Sequence, residues 1–439
     1  MTFSVLSQKK KAFLADFHVH SRFSRATSRE MRPAVINRAA KLKGLSVIGT
    51  GDFTHPVYLK ELKEELEPDG NGLYVCKDDP EGARFILTSE VSNIFTQGGR
   101  SRRIHTCIFA PDFQVVEEIQ ARLGSIGNIS SDGRPIFGFS VKELVRMVIE
   151  ISPECFILPA HIWTPWFSLF GAKSGFDTLE ECFEEQSKHI YALETGLSSD
   201  PQMNWRLSAL DKYTLLSNSD AHSPAKLARE ANCFSCEPSY AEIVSAIKNP
   251  DHGFEGTIEF FPEEGKYHYD GHRACGVCMK PGETIEHGGI CPVCGKALTM
   301  GVLHRIEELA DRPEGFVPEI ARPPCVHLVP LEEIIAEAFG VRTITGRVKK
   351  EYQRLIQIGE SEMAILLRKS ENELEHFVPD RILEGIRRVR KGEVSISPGH
   401  DGLYGKIRLF SEEEKGLSFS SREKPPAKEN CVQMSLFSK

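Results

Sequence analysis

The sequence predicts an α/β protein in which short strands alternate with helices. Between residues 12 and 262, seven apolar runs are rich in β-branched or aromatic residues and end at Gly, Pro, Ser or Asp. Helix-like stretches separate several of them, and a metal-ligating residue type lies at or near the end of each run. Such alternation predicts a parallel sheet. The predicted strands are Phe13–Phe17, Leu45–Gly49, Phe85–Thr88, Ile104–Phe109, Cys155–Leu158, Tyr191–Leu193 and Tyr213–Leu216, and the predicted helices include Pro33–Lys43, Val141–Glu150, Leu179–Lys188 and Met203–Asp211.

The composition changes three times along the chain, which predicts four parts. Residues 1–262 carry the alternating pattern, and residues 263–300 are rich in Gly, Cys, Pro and His. Residues 301–410 are predicted to form a mainly helical domain, and residues 411–439 a polar, flexible tail. The predicted C-terminal helices are Leu331–Phe339, Thr345–Ile358, Ser361–Arg368 and Asp380–Arg390.

Composition also restricts the cellular setting. The 439 residues carry a formal net charge of −8, so any binding of nucleic acid needs a local basic face. No apolar run reaches the length of a membrane span, and no signal-peptide cleavage site follows Lys9–Lys11. We expect a cytoplasmic protein. Twelve cysteines in that compartment favour a metal site and buried thiols over disulfides.

Imidazoles and carboxylates follow the predicted strands in a regular way. Any one of them is more often a cap or a satisfied core group, but a cup lined by all of them would be unstable without cations. Mixed ligands of this kind suit Zn²⁺, Mn²⁺ or Fe²⁺ better than Ca²⁺, and their number predicts two or three ions. The candidate ligands are His18, His20, Asp52, His55, Glu90, His105, His161, Glu194, Asp220 and His222.

Such a site favours hydrolysis of phosphate esters. One metal ion lowers the pKa of a bound water, while neighbouring ions neutralise the phosphate oxygens. The residues expected to act most directly in catalysis are Asp52, Glu90, Asp220 and His222.

The order of these motifs resembles the polymerase-and-histidinol-phosphatase (PHP) superfamily. The shared motifs are His18-Val-His20, Gly51-Asp-Phe-Thr-His55, the Glu90–His105 pair, Pro159-Ala-His161 and Ser219-Asp-Ala-His222. The resemblance implies a distorted (β/α)₇ barrel with a polynuclear site that holds Zn, Mn or Mg. The sequence departs from the family where Phe53 follows Asp52, and where Ser24 and Arg25 stand in the region of an additional acid or histidine. Those departures leave open a third metal ion and the choice of His55 or Glu194 as ligands. The ligands implied by the resemblance are His18, His20, Asp52, Glu90, His105, His161, Asp220 and His222.

Longer stretches look like endonuclease Q in particular. They begin at His20-Ser-Arg-Phe-Ser-Arg, His161-Ile-Trp-Thr-Pro-Trp and Gly196-Leu-Ser-Ser-Asp-Pro. The resemblance implies cleavage of DNA on the 5′ side of a deaminated base (uracil, hypoxanthine or xanthine) or an abasic site. Two alternatives remain open, namely a PHP-type histidinol-phosphate or nucleotide phosphatase, and a non-catalytic PHP module of a replication or repair assembly.

Aromatic and basic residues near the candidate ligands suit DNA. Rings interleaved with glycine follow His161 and could stack on bases, although they could equally cap the barrel. Arginine clusters follow His20 and precede His105, where they could bind phosphates. The candidate DNA-binding residues are Arg22, Arg25, Arg102, Arg103, Trp163, Trp166, Phe167 and Lys173.

Four cysteines in the 263–300 module have the spacing of a structural zinc site. Cys275 and Cys278 form one Cys-x₂-Cys pair, and Cys291 and Cys294 form the second after twelve residues. Four thiolates complete a tetrahedral site. We therefore expect one structural Zn²⁺ ion, with His272 and His287 as bystanders.

The end of the chain resembles a bacterial sliding-clamp-binding peptide. Gln433, Leu436 and Phe437 have the spacing Gln-x-x-Leu-Phe after a polar tether. The simpler interpretation is a chance apolar pair. The resemblance implies a bacterial β clamp as partner, in addition to damaged DNA, and it implies a cytoplasmic protein that associates with the nucleoid.

Overall fold

The computed structural model describes residues 12–319 and 322–416, and it confirms the mixed α/β class. The strands are β1 Phe13–Asp16, β2 Val47–Gly49, β3 Leu66–Pro68, β4 Tyr74–Cys76, β5 Arg84–Gln97, β6 Arg100–Ala110, β7 Ile136–Phe137, β8 Phe156–Pro159, β9 Ala192–Glu194, β10 Thr214–Leu216, β11 Ala231–Phe234, β12 Phe254–Glu259, β13 Asp270–His272, β14 Val277–Met279, β15 Cys325–His327, β16 Ser395–Ser397 and β17 Lys406–Arg408. The α-helices are α1 Pro33–Lys43, α2 Pro56–Glu65, α3 Phe113–Gly124, α4 Val141–Ile151, α5 Leu179–Phe183, α6 Pro201–Asn204, α7 Tyr240–Lys248, α8 Pro281–Glu286, α9 Val302–Leu309, α10 Leu331–Phe339, α11 Gly346–Gly359, α12 Glu371–Glu375 and α13 Asp380–Lys391.

The central sheet is mixed, whereas the sequence predicted a parallel one. Strands β1, β2 and β5 are parallel, but β6 runs antiparallel to both β5 and β8. The reversal occurs at Gly98 and Gly99, whose φ angles of 59° and 71° allow the tight turn of a long hairpin. The strands β9 and β10 form a separate parallel pair.

Two isolated bridges connect that pair to the larger sheet. Ile157 on β8 bridges to Ile190 just before β9, and Val19 after β1 bridges to Ala221 after β10. The order β1, β2, β5, β6, β8, β9, β10 therefore returns to β1. Each of the seven strands predicted from the sequence overlaps one of these.

Three further strands extend the other side of β1. Strands β11 and β12 are antiparallel to their neighbours, and β15 adds in parallel to β12. The sequence had placed residues 325–327 in a helical domain. This strand is only three residues long, which is too short for a periodic pattern to reveal.

Some helices were predicted with their observed bounds, and others only in part. Pro33–Lys43 and Leu331–Phe339 have the predicted bounds. The predicted helix 179–188 instead becomes α5 followed by a 3₁₀ turn, and residues 361–368 form a π-helix at 364–368. Helices α2 and α3 were not predicted.

A buried ion pair ties the C-terminal helices to the first helix. The ammonium of Lys43 lies 2.5 Å from a carboxylate oxygen of Glu362, and both side chains are buried. Glu362 also accepts hydrogen bonds from the Leu331 amide at 2.9 Å and the Tyr352 hydroxyl at 2.7 Å. Removal of one partner from such a pair typically costs about 3–5 kcal/mol, so this contact fixes the two parts against each other.

The core lies directly beneath the first pair of candidate ligands. Phe17 is fully buried, with its ring 5.5 Å from that of Phe109 and 5.8 Å from that of Phe234. These contacts fix the end of β1, from which His18 and His20 project. Within residues 12–319 and 322–416, no helix is both long and apolar enough to cross a bilayer.

Candidate active site

Side chains from within β5 and β6 and from the segments after β1, β8 and β10 converge on one buried cup. Three overlapping groups each bring three ligand atoms within 4.8 Å of one another. The groups are His18, His20 and Glu90; His20, Asp220 and His222; and Glu90, His105 and His161.

Glu90 lies at the centre of the cup. One of its carboxylate oxygens lies 2.7 Å from His105 Nδ1 and 3.2 Å from His161 Nε2. The other lies 3.3 Å from His20 Nε2 and 3.6 Å from His18 Nε2. A carboxylate between two pairs of imidazoles is a donor set of the kind that holds divalent cations.

Three ligand atoms that face into the cup have no hydrogen-bond partner among the described residues, and a metal site requires such free donor atoms. His18 Nε2, His20 Nε2 and Asp220 Oδ1 are buried, and none makes a hydrogen bond within the described part of the chain. His20 Nε2 and Asp220 Oδ1 nevertheless lie 3.0 Å apart. Unpaired buried polar atoms are costly, so the donor set fits divalent cations.

Two of the predicted ligands orient imidazoles instead of joining the three groups. Asp52 lies 3.1 Å from His20 Nδ1, and Glu194 lies 3.0 Å from His18 Nδ1. Asp52 also accepts from the amide and hydroxyl of Ser21, and Glu194 accepts from the His161 amide. Such contacts leave each ring with Nε2 directed toward the cup.

His55 is also outside the three groups. Its Nδ1 accepts from the Tyr58 amide at the start of α2, and its Nε2 lies 3.2 Å from the Ser130 carbonyl oxygen. Both nitrogens are engaged, so the structure gives this predicted ligand a helix-capping role.

Three of the nine described non-glycine residues with positive φ lie at the cup. Asp52, His161 and Asp220 have φ angles of 47°, 30° and 47°, a region that residues other than glycine rarely adopt. Each such conformation costs on the order of 1–3 kcal/mol and persists only where its surroundings enforce it. The chain accepts this cost at three residues whose side chains line or support the cup.

Charges in the cup are set by carboxylates and imidazoles that face one another. Burial alone would raise the pKa of Glu90 and Asp220, but nearby imidazoles, with Arg134 beside Glu90, hold both pKa values well below their usual range. Burial lowers the pKa of His105 to about 4, despite the Glu90 carboxylate beside it. Burial would also lower the pKa of His18, His20 and His161, but facing anionic groups raise it above the usual value. Ionised carboxylates and neutral imidazoles are the forms that ligate metals, so a metal ion bound here would displace protons from these three rings.

Sequence reasoning missed Arg134. Its Nη1 donates to Glu90 at 2.8 Å, and its side chain is mostly buried. The loop reaches the cup because residue 133 is glycine, since a Cβ there would lie 2.3 Å from Asp52 Oδ2. Arg134 follows no predicted strand, and only the adjacent Gly133 hints at a close approach.

The aromatic loop after His161 divides into core and surface. Trp163 is 1% exposed and donates from Nε1 to Asn204, so the prediction of an exposed stacking ring is wrong for this residue. Phe170 packs against it. Phe167 instead lies 4.6 Å from the His105 ring, and Trp166 is 42% exposed.

The predicted basic residues also fall into two groups, one with a structural role and one near the cup or on the surface. Arg102 donates to the Gly175 carbonyl and lies over the Phe176 ring, which is a structural role. Arg103 lies over Phe167, near the cup. Arg22 pairs with Glu61, while the Arg25 side chain and Lys173 are exposed.

The second candidate metal site differs from the four-cysteine prediction. His272, Cys275, Cys291 and Cys294 place their ligand atoms within 4.8 Å of one another, and Cys278 is not in this group. His272 Nδ1 lies 3.5 Å from the Cys294 sulfur. Backbone amides of Cys294 and Val293 outweigh burial and lower the pKa of Cys291 to about 7.

A shared turn explains this ligand set. The segments 272–276 and 291–295 both read ligand-x-x-Cys-Gly, and Gly276 and Gly295 have φ angles of 66° and 70°. The left-handed glycine directly after Cys275 gives that cysteine the same place in its turn as Cys294 has in the other, so His272 stands where Cys291 does. The repeated glycine was the signal that could have identified His272.

Comparison with known proteins covers nearly the whole chain. Residues 330–393 match the family described as the MJ0043 C-terminal domain. The uncharacterized protein YqxK of Bacillus subtilis (strain 168) is 30% identical over 419 residues, which are 91% of this chain and 100% of that protein.

Two solved structures are similar along the same length. PfuEndoQ from Pyrococcus furiosus, a lesion-specific endonuclease, matches 93% of this chain and 100% of its own at a TM-score of 0.81 and 32% identity. An endonuclease Q in complex with a 27-mer duplex, with an abasic lesion at its active site, matches 92% of this chain and 98% of its own at a TM-score of 0.80 and 33% identity. The chain is accordingly a hydrolase, and it belongs to the endonuclease Q family.

Proposed function

We propose that the protein is a DNA repair endonuclease that hydrolyses the phosphodiester bond 5′ to a deaminated base (uracil, hypoxanthine or xanthine) or an abasic site. The observation that carries the proposal is the buried cup with its unpaired ligand atoms, in a chain similar over 92% of its length to an endonuclease Q bound to abasic DNA. The direct test is incubation with matched oligonucleotides that contain uracil, hypoxanthine, an abasic site or no lesion, followed by mapping of the cut.

Divalent ions, two or three of Zn, Mn or Mg, would be held by the three groups around Glu90. His18 and His20 face Glu90 from one side, and His105 and His161 face it from the other. When bound, such ions supply an acidified water and offset the charge of the phosphate. Asp52 and Glu194 hold the imidazoles of His20 and His18 in the orientation that binding needs.

The chain's own contribution at the phosphate comes from the rim of the cup. The side chain of Asp220 is 27% exposed, and that of His222 is exposed to a similar extent, so both face an incoming strand. Arg134 lies beside Glu90 and carries a permanent positive charge. We assign it to a non-bridging oxygen of the scissile phosphate, where it would stabilise charge that develops during cleavage.

Lesion recognition is assigned to the surface around the cup. Phe167 lies next to His105, and Arg103 lies over the Phe167 ring. Trp166, Arg25 and Lys173 are exposed, and each is close in sequence to a residue of the cup. A base removed from the stack needs an aromatic or apolar surface to contact. Trp163 and Arg102 support this surface from within.

The architecture proposed for this activity is a distorted seven-stranded PHP-type barrel. The order from β1 through β10, with the bridges Ile157–Ile190 and Val19–Ala221, supports closure of the ring. We retain residues 1–262 as the catalytic domain, 263–300 as the zinc module, 301–410 as the C-terminal domain and 411–439 as the tail. Strand β15 shows that the C-terminal part also contributes to the main sheet.

Asp220→Ala should abolish nicking of lesion DNA while leaving the fold and DNA binding largely intact, because it removes a ligand at the rim and no core side chain. Nicking, thermal unfolding and binding to an abasic oligonucleotide would be measured together, with the exposed Asp251→Ala as control. Undiminished nicking by Asp220→Ala in metal-supplemented buffer would refute the assignment of this residue.

Arg134→Ala should slow cleavage by about 10²–10³-fold, the usual effect of removing a group that stabilises transition-state charge. Arg134→Lys should recover part of this rate. Affinity for abasic DNA would be compared in an Asp220→Ala background, with Arg146→Ala, a surface arginine paired with Glu143 and Glu150, as control. If Arg134→Ala cuts at the parent rate, Arg134 does not contact the phosphate.

A structural Zn²⁺ ion is assigned to His272, Cys275, Cys291 and Cys294. Cys275→Ser should therefore lose one tightly bound zinc per chain, whereas Cys278→Ser should retain the parent's zinc content. Metal analysis of both purified variants distinguishes this set from the four-cysteine set. The result that contradicts it is zinc loss in Cys278→Ser.

Binding of the bacterial β clamp is also proposed, through Gln433, Leu436 and Phe437, which lie outside the described residues. A tethered nuclease would reach a higher local concentration on DNA that carries the clamp. Leu436→Ala/Phe437→Ala should abolish binding in a titration against the clamp and leave cleavage of short free oligonucleotides unchanged. Equal clamp binding by the variant and the parent would exclude the motif.

A further inference from the structure

A row of aromatic and cationic side chains joins the loop after His161 to the C-terminal part of the chain. The ring of Trp166 lies edge-on to that of Tyr267, with centroids 6.0 Å apart. The ammonium of Lys266 lies 5.8 Å from the Tyr267 centroid and 5.7 Å from the Tyr404 centroid. We call these four residues, Trp166, Lys266, Tyr267 and Tyr404, the aromatic–lysine track.

The track is largely exposed to solvent. Tyr404 is 72% exposed, Lys266 is exposed, and Tyr267 is half-buried. A contiguous row of exposed rings, unlike rings exposed singly, is typical of a binding surface. The cation held between two tyrosine rings gives the surface a positive charge as well as an apolar character.

Further cations border the track. Arg273 is exposed, and its Nη1 lies 3.8 Å from the position that a Cβ on Gly402 would occupy, while Tyr267 Oη lies 3.9 Å from the same point. Lys406 is exposed on the neighbouring strand β17. The surface therefore presents hydroxyl, ammonium and guanidinium donors together.

The track is continuous with the active site. Phe167, next to Trp166 in sequence, packs on the ring of the candidate ligand His105. A strand that crosses the cup at Phe167 would pass from there to Trp166 and onward to Tyr267. The backbone also connects the far end, because Gly402 donates to the Lys266 carbonyl at 2.9 Å.

We infer that the aromatic–lysine track binds the DNA backbone on one flank of the lesion, outside the segment held at the cup. This inference rests on the proposed function and extends it to a second contact region. Lysine, arginine and tyrosine side chains are common donors to phosphate oxygens, and such contacts position a protein on DNA without reading sequence. A protein partner would not explain why the track starts at Trp166, directly beside the residue that packs on the candidate ligand His105.

The test compares Lys266→Ala/Tyr404→Ala with a chemically matched control, Tyr191→Ala/Lys248→Ala. In the control pair Lys248 lies 4.8 Å from the Tyr191 centroid, and Tyr191 is 39% exposed. Tyr191 lies directly before β9, at the opposite end of this strand from Glu194, the residue that contacts His18. The pair thus reproduces a lysine–tyrosine contact outside the track.

Binding would be measured by fluorescence anisotropy with three abasic duplexes: a short one, one extended on the 5′ side and one extended on the 3′ side. The track variant should lose about tenfold or more in affinity for one extended duplex, and much less for the other two. Its salt dependence on that duplex should also decrease by about one phosphate contact, because one lysine is removed. The control variant should bind and cut all three as the parent does.

Two outcomes would overturn the inference, and they are distinguishable. If the parent binds and nicks the duplexes but the track variant binds each as tightly as the control variant, the track does not bind DNA. If the parent neither binds nor nicks any lesion duplex, the proposed function fails, and the track fails with it. Thermal unfolding and zinc content of both variants establish that a loss of affinity is not a loss of folding.

Discussion

The buried carboxylate of Glu90 is the constraint around which the rest of the site is organised. It contacts His105, His161, His20 and Arg134 within 3.3 Å, and neighbouring positive charge keeps its pKa well below the usual range. An ionised carboxylate cannot remain buried unless cations surround it. The strained backbone at His161, the glycine at position 133 and the approach of Arg134 each help to place an imidazole or guanidinium group beside the Glu90 carboxylate.

Most of this cup could be located from the sequence because the ends of the predicted apolar runs are recognisable from the residue pattern. His18, Glu90 and His161 follow apolar runs, and the parallel strands among those runs bring the side chains to one edge. His105 is different, since it lies within β6, and the long β5–β6 hairpin places it opposite Ser92. A glycine pair that reverses the chain was needed to predict that arrangement, and Gly98-Gly99 was the available signal.

Ligands and the residues that orient them could not be separated from the sequence. Asp52 and Glu194 stand at or after strand ends, and Glu90 likewise follows a predicted apolar run, although the structure places it inside β5. Carboxylates of both kinds contact imidazoles. The difference is which ring nitrogen they reach, and this depends on side-chain rotamers that a pattern of residue types does not encode. Arg134 was missed for another reason, because it lies in a loop held to the cup by tertiary contacts such as Gly133 to Phe23.

The zinc module and the aromatic–lysine track depend on the same backbone. Asp401 accepts from the Arg273 amide at 2.6 Å and from the Thr299 hydroxyl at 2.7 Å, which ties the loop before Tyr404 to the segment that carries His272. The module buries few apolar side chains of its own, namely Val277, Cys291 and Leu298, so the proposed metal ion would supply much of its rigidity. A metal ion bound by His272 would therefore restrain the loop before Tyr404. On that proposal the small module would act on DNA without contacting the lesion, by holding the far end of the aromatic–lysine track in place.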